Sequence, residues 1–172
     1  LAVMSSSFGQ KIDYQNKTLT KKLAKNGVED FSQIIKMSIS EKLKNQYPLE
    51  GKYFEIKSNI SPYKYIFIGR VNTGRTEGYS NNNSYSKSSS EYFDYYILFD
   101  ENKTVQNVKV FNYQASYGYE ITAKGWLRQF KGHDGSEHLK AGKNIDAISG
   151  ATVSVNAISK DVSIKTLLLK KL

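Results

Sequence analysis

The 172-residue chain contains no cysteine, which excludes a disulfide framework, a thiolate metal site and a cysteine nucleophile. Any redox chemistry must therefore come from a bound cofactor. Histidine is also scarce, and the two present, His133 and His138, share a polar loop with Asp134 and Glu137. Because a third firm ligand is missing, we expect solvent-exposed histidines and no metal site.

Acidic residues are outnumbered, with 16 against 25 basic residues and a formal net charge of +9. Such a charge suits a nucleic acid, an anionic membrane surface or an acidic protein partner. The lysines are scattered from Lys11 to Lys171, and no recognisable nucleic-acid-binding motif accompanies them. We therefore expect a solvated basic surface rather than a dedicated patch, and no nucleic-acid partner.

Long apolar runs are also missing, and the first ten residues are uncharged. They read Leu-Ala-Val-Met followed by small residues, as at the end of a secretory signal peptide. We therefore expect an exported, extracytoplasmic protein, periplasmic or at the cell surface, although an incidental chain start or a disordered tail would look similar. The expected organisation is a signal-peptide remnant over 1–10, a polar lead-in and helix over 11–50, and one domain over 51–172.

Two elements are predicted before residue 51. The lysine-rich stretch 13–26 offers few residues to bury, so an extended or loosely helical lead-in is expected. A helix is then predicted to begin near Glu29 and Asp30, where acidic side chains favour a helix N-terminus, and to end near Pro48. Its apolar residues recur at helical spacing at Phe31, Ile34, Ile35, Ile39 and Leu43.

Runs of aromatic and β-branched residues predict four strands in the middle of the chain. These strands are expected at 53–56, 63–71, 92–99 and 104–113. In the third, alternate residues place Phe93, Tyr95, Ile97 and Phe99 on one face. A hairpin turn is predicted at 100–103, which indicates an antiparallel sheet. The Ser- and Asn-rich stretch 79–90 is expected to be a mobile loop.

Two helices are predicted after the sheet. A short one over 121–130 would pack through Leu127 and Phe130 and end at Gly132, and a polar loop over 133–144 follows. The last helix is expected to begin near Val153 and run towards the end of the chain. Its apolar face would consist of Ala157, Ile158, Val162, Leu168, Leu169 and Leu172. Helices packed on an antiparallel sheet define the α+β class.

The segment that precedes the last helix, Ile-Asp-Ala-Ile-Ser-Gly-Ala-Thr-Val-Ser, is the candidate functional site. The small residues Ser149, Gly150 and Ala151 allow a ligand to approach the backbone where the first helical N–H groups lack intrahelical partners. Such a helix start binds anions, and the hydroxyls of Ser149, Thr152 and Ser154 would add donors for phosphate oxygens. The alternative is that Ser and Thr cap the helix while Gly150 forms the turn.

The run from Asp146 to Thr152, followed by Ser154 and Ala157, resembles the signature of the FMN-binding domain family. That family includes the C subunit of the sodium-translocating NADH:quinone oxidoreductase and the G subunit of the Rnf complex. In the family, a dedicated flavin transferase uses FAD to esterify the final threonine to the flavin phosphate, so the resemblance implies covalent FMN on Thr152. It further implies that the transferase recognises Asp146, Ser149, Gly150 and Ala151.

A second match lies upstream. Residues 118–121 and 126–132 read Gly-Tyr-Glu-Ile and Trp-Leu-Arg-Gln-Phe-Lys-Gly, and they resemble the segments that precede the signature in family members. The two complex subunits begin with a transmembrane anchor and carry a Thr-Pro segment where this chain has Ala-Ser-Tyr-Gly at 115–118. A stand-alone exported flavoprotein therefore fits better than a subunit of either complex.

The resemblance implies that the upstream part of the flavin site contains Trp126, Gly118, Tyr119 and Glu120. Its aromatic rings, with that of Tyr117, would either stack on the isoalloxazine or belong to the core. Glu120 would either hydrogen-bond the ring or lie at a strand end. The cations Lys124 and Arg128 would either offset flavin charge or form a solvated helix face.

These observations predict an exported electron-transfer protein whose FMN is held by a phosphoester to Thr152. A flavin accepts electrons singly or in pairs, and a covalent bond makes its retention independent of affinity. The implied partners are the flavin transferase and either redox proteins or a quinone-linked membrane complex. Two other readings stay open: a flavin-free binding or surface module with the same fold, and a reductase with non-covalent FMN.

Overall fold

The computed structural model describes residues 10–73 and 91–172. Within them lies a five-stranded antiparallel sheet with strands in sequential order, as the predicted α+β class requires. The strands are β1 (Ile34–Lys36), β2 (Gly51–Ile56), β3 (Tyr65–Asn72), β4 (Tyr92–Phe99) and β5 (Val105–Tyr113). The last four match the predicted runs to within two residues. The predicted signal-peptide remnant, apart from Gln10, and the predicted loop at 79–90 lie outside the described residues.

Both faces of the sheet are covered, and β4 is buried along its whole length. The predicted alternation is confirmed, because Phe93, Tyr95, Ile97 and Phe99 share one core with the C-terminal helix. That helix, α4 (Thr152–Lys171), begins one residue before the predicted start. Tyr96 and Leu98 point into a second core on the opposite face.

Buried polar contacts fix α4 on the sheet. The Tyr53 hydroxyl donates to the Lys165 carbonyl at 2.7 Å, and the Tyr95 hydroxyl donates to Asp161 Oδ2 at 2.5 Å. Lys165 Nζ in turn donates to Asp161 Oδ1 and to the Pro48 carbonyl, both at 2.8 Å. Burial raises the pKa of both tyrosines well above the usual value, so they remain neutral donors. The position of α4 on the sheet is thereby fixed.

The polar lead-in contains a well-packed helix, α1 (Lys17–Ala24). The Asn16 side chain caps it by accepting from the Leu19 N–H at 3.0 Å. Leu19 and Leu23, one turn apart, are each only 1% exposed and join the second core. Two apolar residues at helical spacing are therefore enough to dock this lysine-rich segment.

The helix predicted from Glu29 to Pro48 is wrong. The segment instead forms a short 3₁₀ turn (Phe31–Gln33), the edge strand β1, and a short helix α2 (Glu41–Gln46). β1 pairs with β2, and Ile35 is 48% exposed, so the apolar residues do not share one helical face. Adjacent isoleucines favour a strand, and pairing with β2 satisfies the backbone.

The structure replaces the single short helix predicted at 121–130 with three consecutive short helical turns. They are a 3₁₀ turn (Tyr119–Thr122), the helix α3 (Lys124–Leu127) and a second 3₁₀ turn (Arg128–Phe130). Leu127 and Phe130 are buried, as predicted. In the described parts of the chain, no helix is long and apolar enough to cross a membrane.

Candidate functional site

The turn that leads into α4 places the small residues of the signature at a helix start. Gly150 has φ = +79°, a left-handed conformation that favours glycine, and the Ala151 N–H donates to the Ile148 carbonyl at 3.1 Å. Ala151 occupies the N-cap position, and no side chain caps the helix there. The alternative in which Ser or Thr caps α4 is therefore wrong, although Gly150 does form the turn. The first N–H groups of this 20-residue helix are left for an external acceptor.

A cavity of about 250 Å³ opens at this helix start. Its lining consists of Thr73, Glu91, Tyr117, Gly150, Ala151, Thr152, Val153 and Ser154. Thr152 is exposed at the first helical position, so its hydroxyl is accessible from outside. A cavity of this size accepts a phosphate group and its attached chain but not a whole drug-sized ligand, which needs about 300–1,000 Å³.

Thr73 gives an independent indication that a polar ligand binds in this cavity. It follows β3 and is only 5% exposed, and its Oγ1 atom has no hydrogen-bond partner among the described residues. A buried hydroxyl left without a partner costs about 1–3 kcal/mol, and a polar ligand in the cavity would remove that cost. Local sequence contains no signal for Thr73, because it reaches the site only through the pairing of β3 with β4.

Ser154 faces the same cavity but is engaged within the protein. It is 4% exposed, and its Oγ lies 3.0 Å from the Tyr113 hydroxyl. The Tyr113 hydroxyl donates its single proton to the Tyr117 carbonyl, so the Ser154 hydroxyl must be the donor to Tyr113. The Ser154 proton is therefore used inside the protein, which leaves Thr152 as the accessible hydroxyl.

Gly118 allows this arrangement by close approach. It adopts φ = +85°, and a Cβ atom at this position would lie 2.5 Å from Ser154 Oγ and 2.9 Å from Ser154 Cβ. The glycine that the sequence singled out therefore supports α4 from behind the cavity. Any side chain at position 118 would clash with the first turn of α4. The absence of a side chain there therefore allows the 118–121 segment to pack directly against the signature.

Replacing Gly118 with Ala should lower the free energy of unfolding by about 1–3 kcal/mol, because the new Cβ is strained and contacts Ser154. Urea denaturation followed by circular dichroism measures the change. Gly125→Ala is the matched control, since no atom lies within 4 Å of its added Cβ and alanine favours the helix. Equal stability of Gly118→Ala and the wild type would contradict the close approach.

Trp126 and a neighbouring glutamine hold the loop that carries Asp146. Trp126 Nε1 donates to the Asp146 carbonyl at 2.9 Å, while the Asp146 N–H donates to Gln129 Oε1 at 2.7 Å. The indole also packs edge-on against Phe130, with ring centroids 5.5 Å apart. Trp126 is therefore built into the protein framework and does not line the cavity. Gln129 belongs to the quoted Trp-containing segment, but its role depends on a contact 17 residues away.

The other candidate side chains are all exposed. Tyr117 and Tyr119 are 72% and 68% exposed, and Tyr119 lies edge-on to Tyr113 at 5.6 Å. Exposed rings beside the cavity are suitable for stacking on a planar ligand. Glu120 is exposed within a 3₁₀ turn rather than at a strand end. The remaining side chains named by the sequence are exposed, namely Asp146 and Ser149 in the loop and Lys124 and Arg128 on the other side of it.

His133 differs from the exposed histidine that the sequence predicted. It is 7% exposed, its Nε2 atom has no partner, and burial lowers its pKa below the usual 6.5. Across residues 10–73 and 91–172, no three His, Asp or Glu side chains cluster as metal ligands would.

The stability of the protein should fall as the pH drops below about 6.5, partly because of His133. Its pKa is lower in the folded state, so the unfolded chain binds more protons in the window between the two pKa values. The contribution is therefore complete above the unfolded pKa and is lost as the pH falls towards the folded one. Urea titrations of His133→Gln between pH 7 and 5 should show a shallower decline. The exposed His138→Gln is the control, and an unchanged decline in His133→Gln would contradict the assignment.

Fold and site together define an α+β domain with an anion-binding helix start that presents an accessible threonine. Comparison with protein families assigns it further: residues 90–163 match the FMN-binding domain. The match includes β4, β5, the Trp126 segment and the signature, and it confirms the family resemblance. The match supports an FMN-binding protein whose FMN-binding domain includes these residues. Among curated proteins, no significant match to the chain was found.

Proposed function

We propose that this protein is an exported electron-transfer module whose FMN is attached by a phosphoester to Thr152. The observation that supports this most directly is the accessible Thr152 hydroxyl at the uncapped start of α4, beside a cavity of about 250 Å³. Cofactor phosphate bound there would accept hydrogen bonds from the first helical N–H groups. The Thr73 hydroxyl would supply a further donor, which satisfies an otherwise unpaired buried atom.

Attachment requires an enzyme that supplies the flavin. In the proposed reaction the Thr152 oxygen bonds to the FMN phosphorus of FAD, the diphosphate bond breaks, and AMP leaves while the transferase takes up the hydroxyl proton. The exposed Asp146 and Ser149 are suited to recognition by such an enzyme, because their side chains face solvent. The contacts from Trp126 and Gln129 hold the Asp146 backbone in place for that recognition.

The proposal includes the flavin's surroundings and the redox role. When bound, FMN supplies one- and two-electron chemistry. The exposed ring of Tyr117 lines the cavity, and that of Tyr119 lies 5.6 Å from the Tyr113 ring; both would contact the isoalloxazine. The redox partners of the protein would be other redox proteins or a quinone-linked membrane complex outside the cytoplasm. The proposal of export depends on the uncharged, small-residue composition of residues 1–10.

Co-expression with a matching flavin transferase in an exporting host tests the proposal. We expect the intact mass to increase by one FMN less one water, with the adduct mapped to the peptide that contains Thr152. Redox titration of the loaded protein should then show reversible bleaching of the flavin spectrum. An unmodified mass, with the transferase active on a control substrate, would favour either a flavin-free binding module or non-covalent FMN. Release of flavin on denaturation would identify the non-covalent case.

A further inference from the structure

A second cleft lies between α1, β5 and α3, and its lining combines polar and basic residues with Tyr96, Val108 and Leu127. Its volume is about 320 Å³. Seven cations from these elements and from the segments that follow α1 and α3 line it, and we call it the basic cleft: Lys21, Lys22, Lys25, Lys109, Lys124, Arg128 and Lys131. The lysines that look scattered in the sequence are therefore brought together by the docking of α1 beside β5.

The basic cleft has no counter-charge of its own. None of its lining residues is acidic. Among the described residues, none of the seven cations lies within 4.0 Å of a carboxylate oxygen. Like charges gathered around a concave, partly dehydrated surface repel one another and concentrate field in the cleft. A multivalent anion would relieve that repulsion.

The lining also restricts the class of anion. Tyr96 supplies the only aromatic ring in the lining, and it is 2% exposed. No ring is therefore presented for stacking a nucleobase. The Asn107 amide suits phosphate or hydroxyl oxygens, whereas Gln106 Nε2 already donates to Asp100 Oδ2 at 2.8 Å. The concave shape favours a narrow chain over a flat membrane surface.

We propose that the basic cleft binds a base-free chain of closely spaced phosphate groups, either inorganic polyphosphate or a phosphodiester-linked polyol. Lysines on α1 and on the α3 segment approach the chain from opposite walls. Binding is independent of the flavin, since none of the seven cations lines the cavity at Thr152.

Isothermal titration calorimetry of the full chain with inorganic tripolyphosphate tests this at low and at physiological ionic strength. We expect saturable binding that weakens as salt is added, because screening reduces each phosphate contact. The double variant Lys25→Gln/Lys124→Gln should bind at least about tenfold more weakly, since two charge-assisted contacts are lost. Both side chains are exposed, so the variant should fold normally, and its melting temperature verifies this.

Lys42→Gln/Lys160→Gln is the charge-matched control, because these exposed lysines lie outside the cleft. Unchanged affinity in the control supports the site, whereas equal weakening in both variants would show a net-charge effect and overturn it. Tighter binding of a glycerol-phosphate oligomer than of tripolyphosphate would support the site and identify the polyol source. Absence of binding to both phosphate chains, or stronger cleft-dependent binding of a single-stranded oligonucleotide, an acidic peptide or anionic vesicles, would overturn the proposal.

Discussion

Replacing Thr152 with Val should abolish covalent flavin attachment completely. Valine matches threonine in shape but lacks the hydroxyl that would form the phosphoester. Since Thr152 is exposed and caps nothing, the substitution should leave the free energy of unfolding within about 0.5 kcal/mol of the wild type. Flavin fluorescence of the denatured protein in a gel, together with its intact mass after co-expression with the transferase, measures the loss.

Two companion variants make the Thr152→Val result specific. Thr152→Ser keeps a hydroxyl at the same position and should retain attachment at a reduced level. Thr104→Val makes the same chemical change just before β5, where a β-branched residue is well tolerated, and should be flavinylated like the wild type. A flavin adduct in Thr152→Val, mapped to another hydroxyl such as that of Ser149, would contradict the assignment of the acceptor.

The core strands could be predicted from local pattern because they are runs of aromatic and β-branched residues. In β4 the apolar face at Phe93, Tyr95 and Ile97 matches the period of a strand and no other element. The segment from Phe31 to Leu43 has apolar residues at helical spacing, which predicted a helix, although its adjacent isoleucines favour a strand. Pairing with β2, a distant event that no local window contains, decides in favour of β1.

Some residues of the candidate site could likewise be identified from local sequence, and others could not. The small residues before α4 could be recognised in sequence because a helix start, a left-handed glycine and an accessible Thr152 are consecutive in the chain. Thr73 and Gln129 could not, since strand pairing and loop docking bring them in from distant positions. The same limitation explains the burial of His133, whose surroundings are set by tertiary packing.

Asp94→Ala should cause the largest loss of stability, about 3–5 kcal/mol in the free energy of unfolding. Asp94 lies on β4 at 0% exposure. Its Oδ1 accepts from Arg70 Nε at 2.7 Å, and its Oδ2 accepts from Arg70 Nη2 at 3.0 Å and from Asn112 Nδ2 at 2.8 Å. Removing the carboxylate leaves the largely buried guanidinium with only the Gln10 carbonyl as acceptor, and it leaves the half-buried Asn112 amide without this acceptor. Such losses are costly.

Urea denaturation of Asp94→Ala, monitored by circular dichroism, should therefore show a much lower midpoint with a similar slope. Glu55→Ala is the matched control, because its carboxylate pairs with Lys57 and Lys64 near the surface. Solvent screens that cluster, so its loss should cost no more than about 1 kcal/mol. Equal losses in the two variants would mean that the bidentate contact to Arg70 adds nothing beyond a surface ion pair. A selective loss in Asp94→Ala would show that this charged pair joins β3 and β4 at the end of the sheet where Thr73 and Glu91 line the cavity at Thr152.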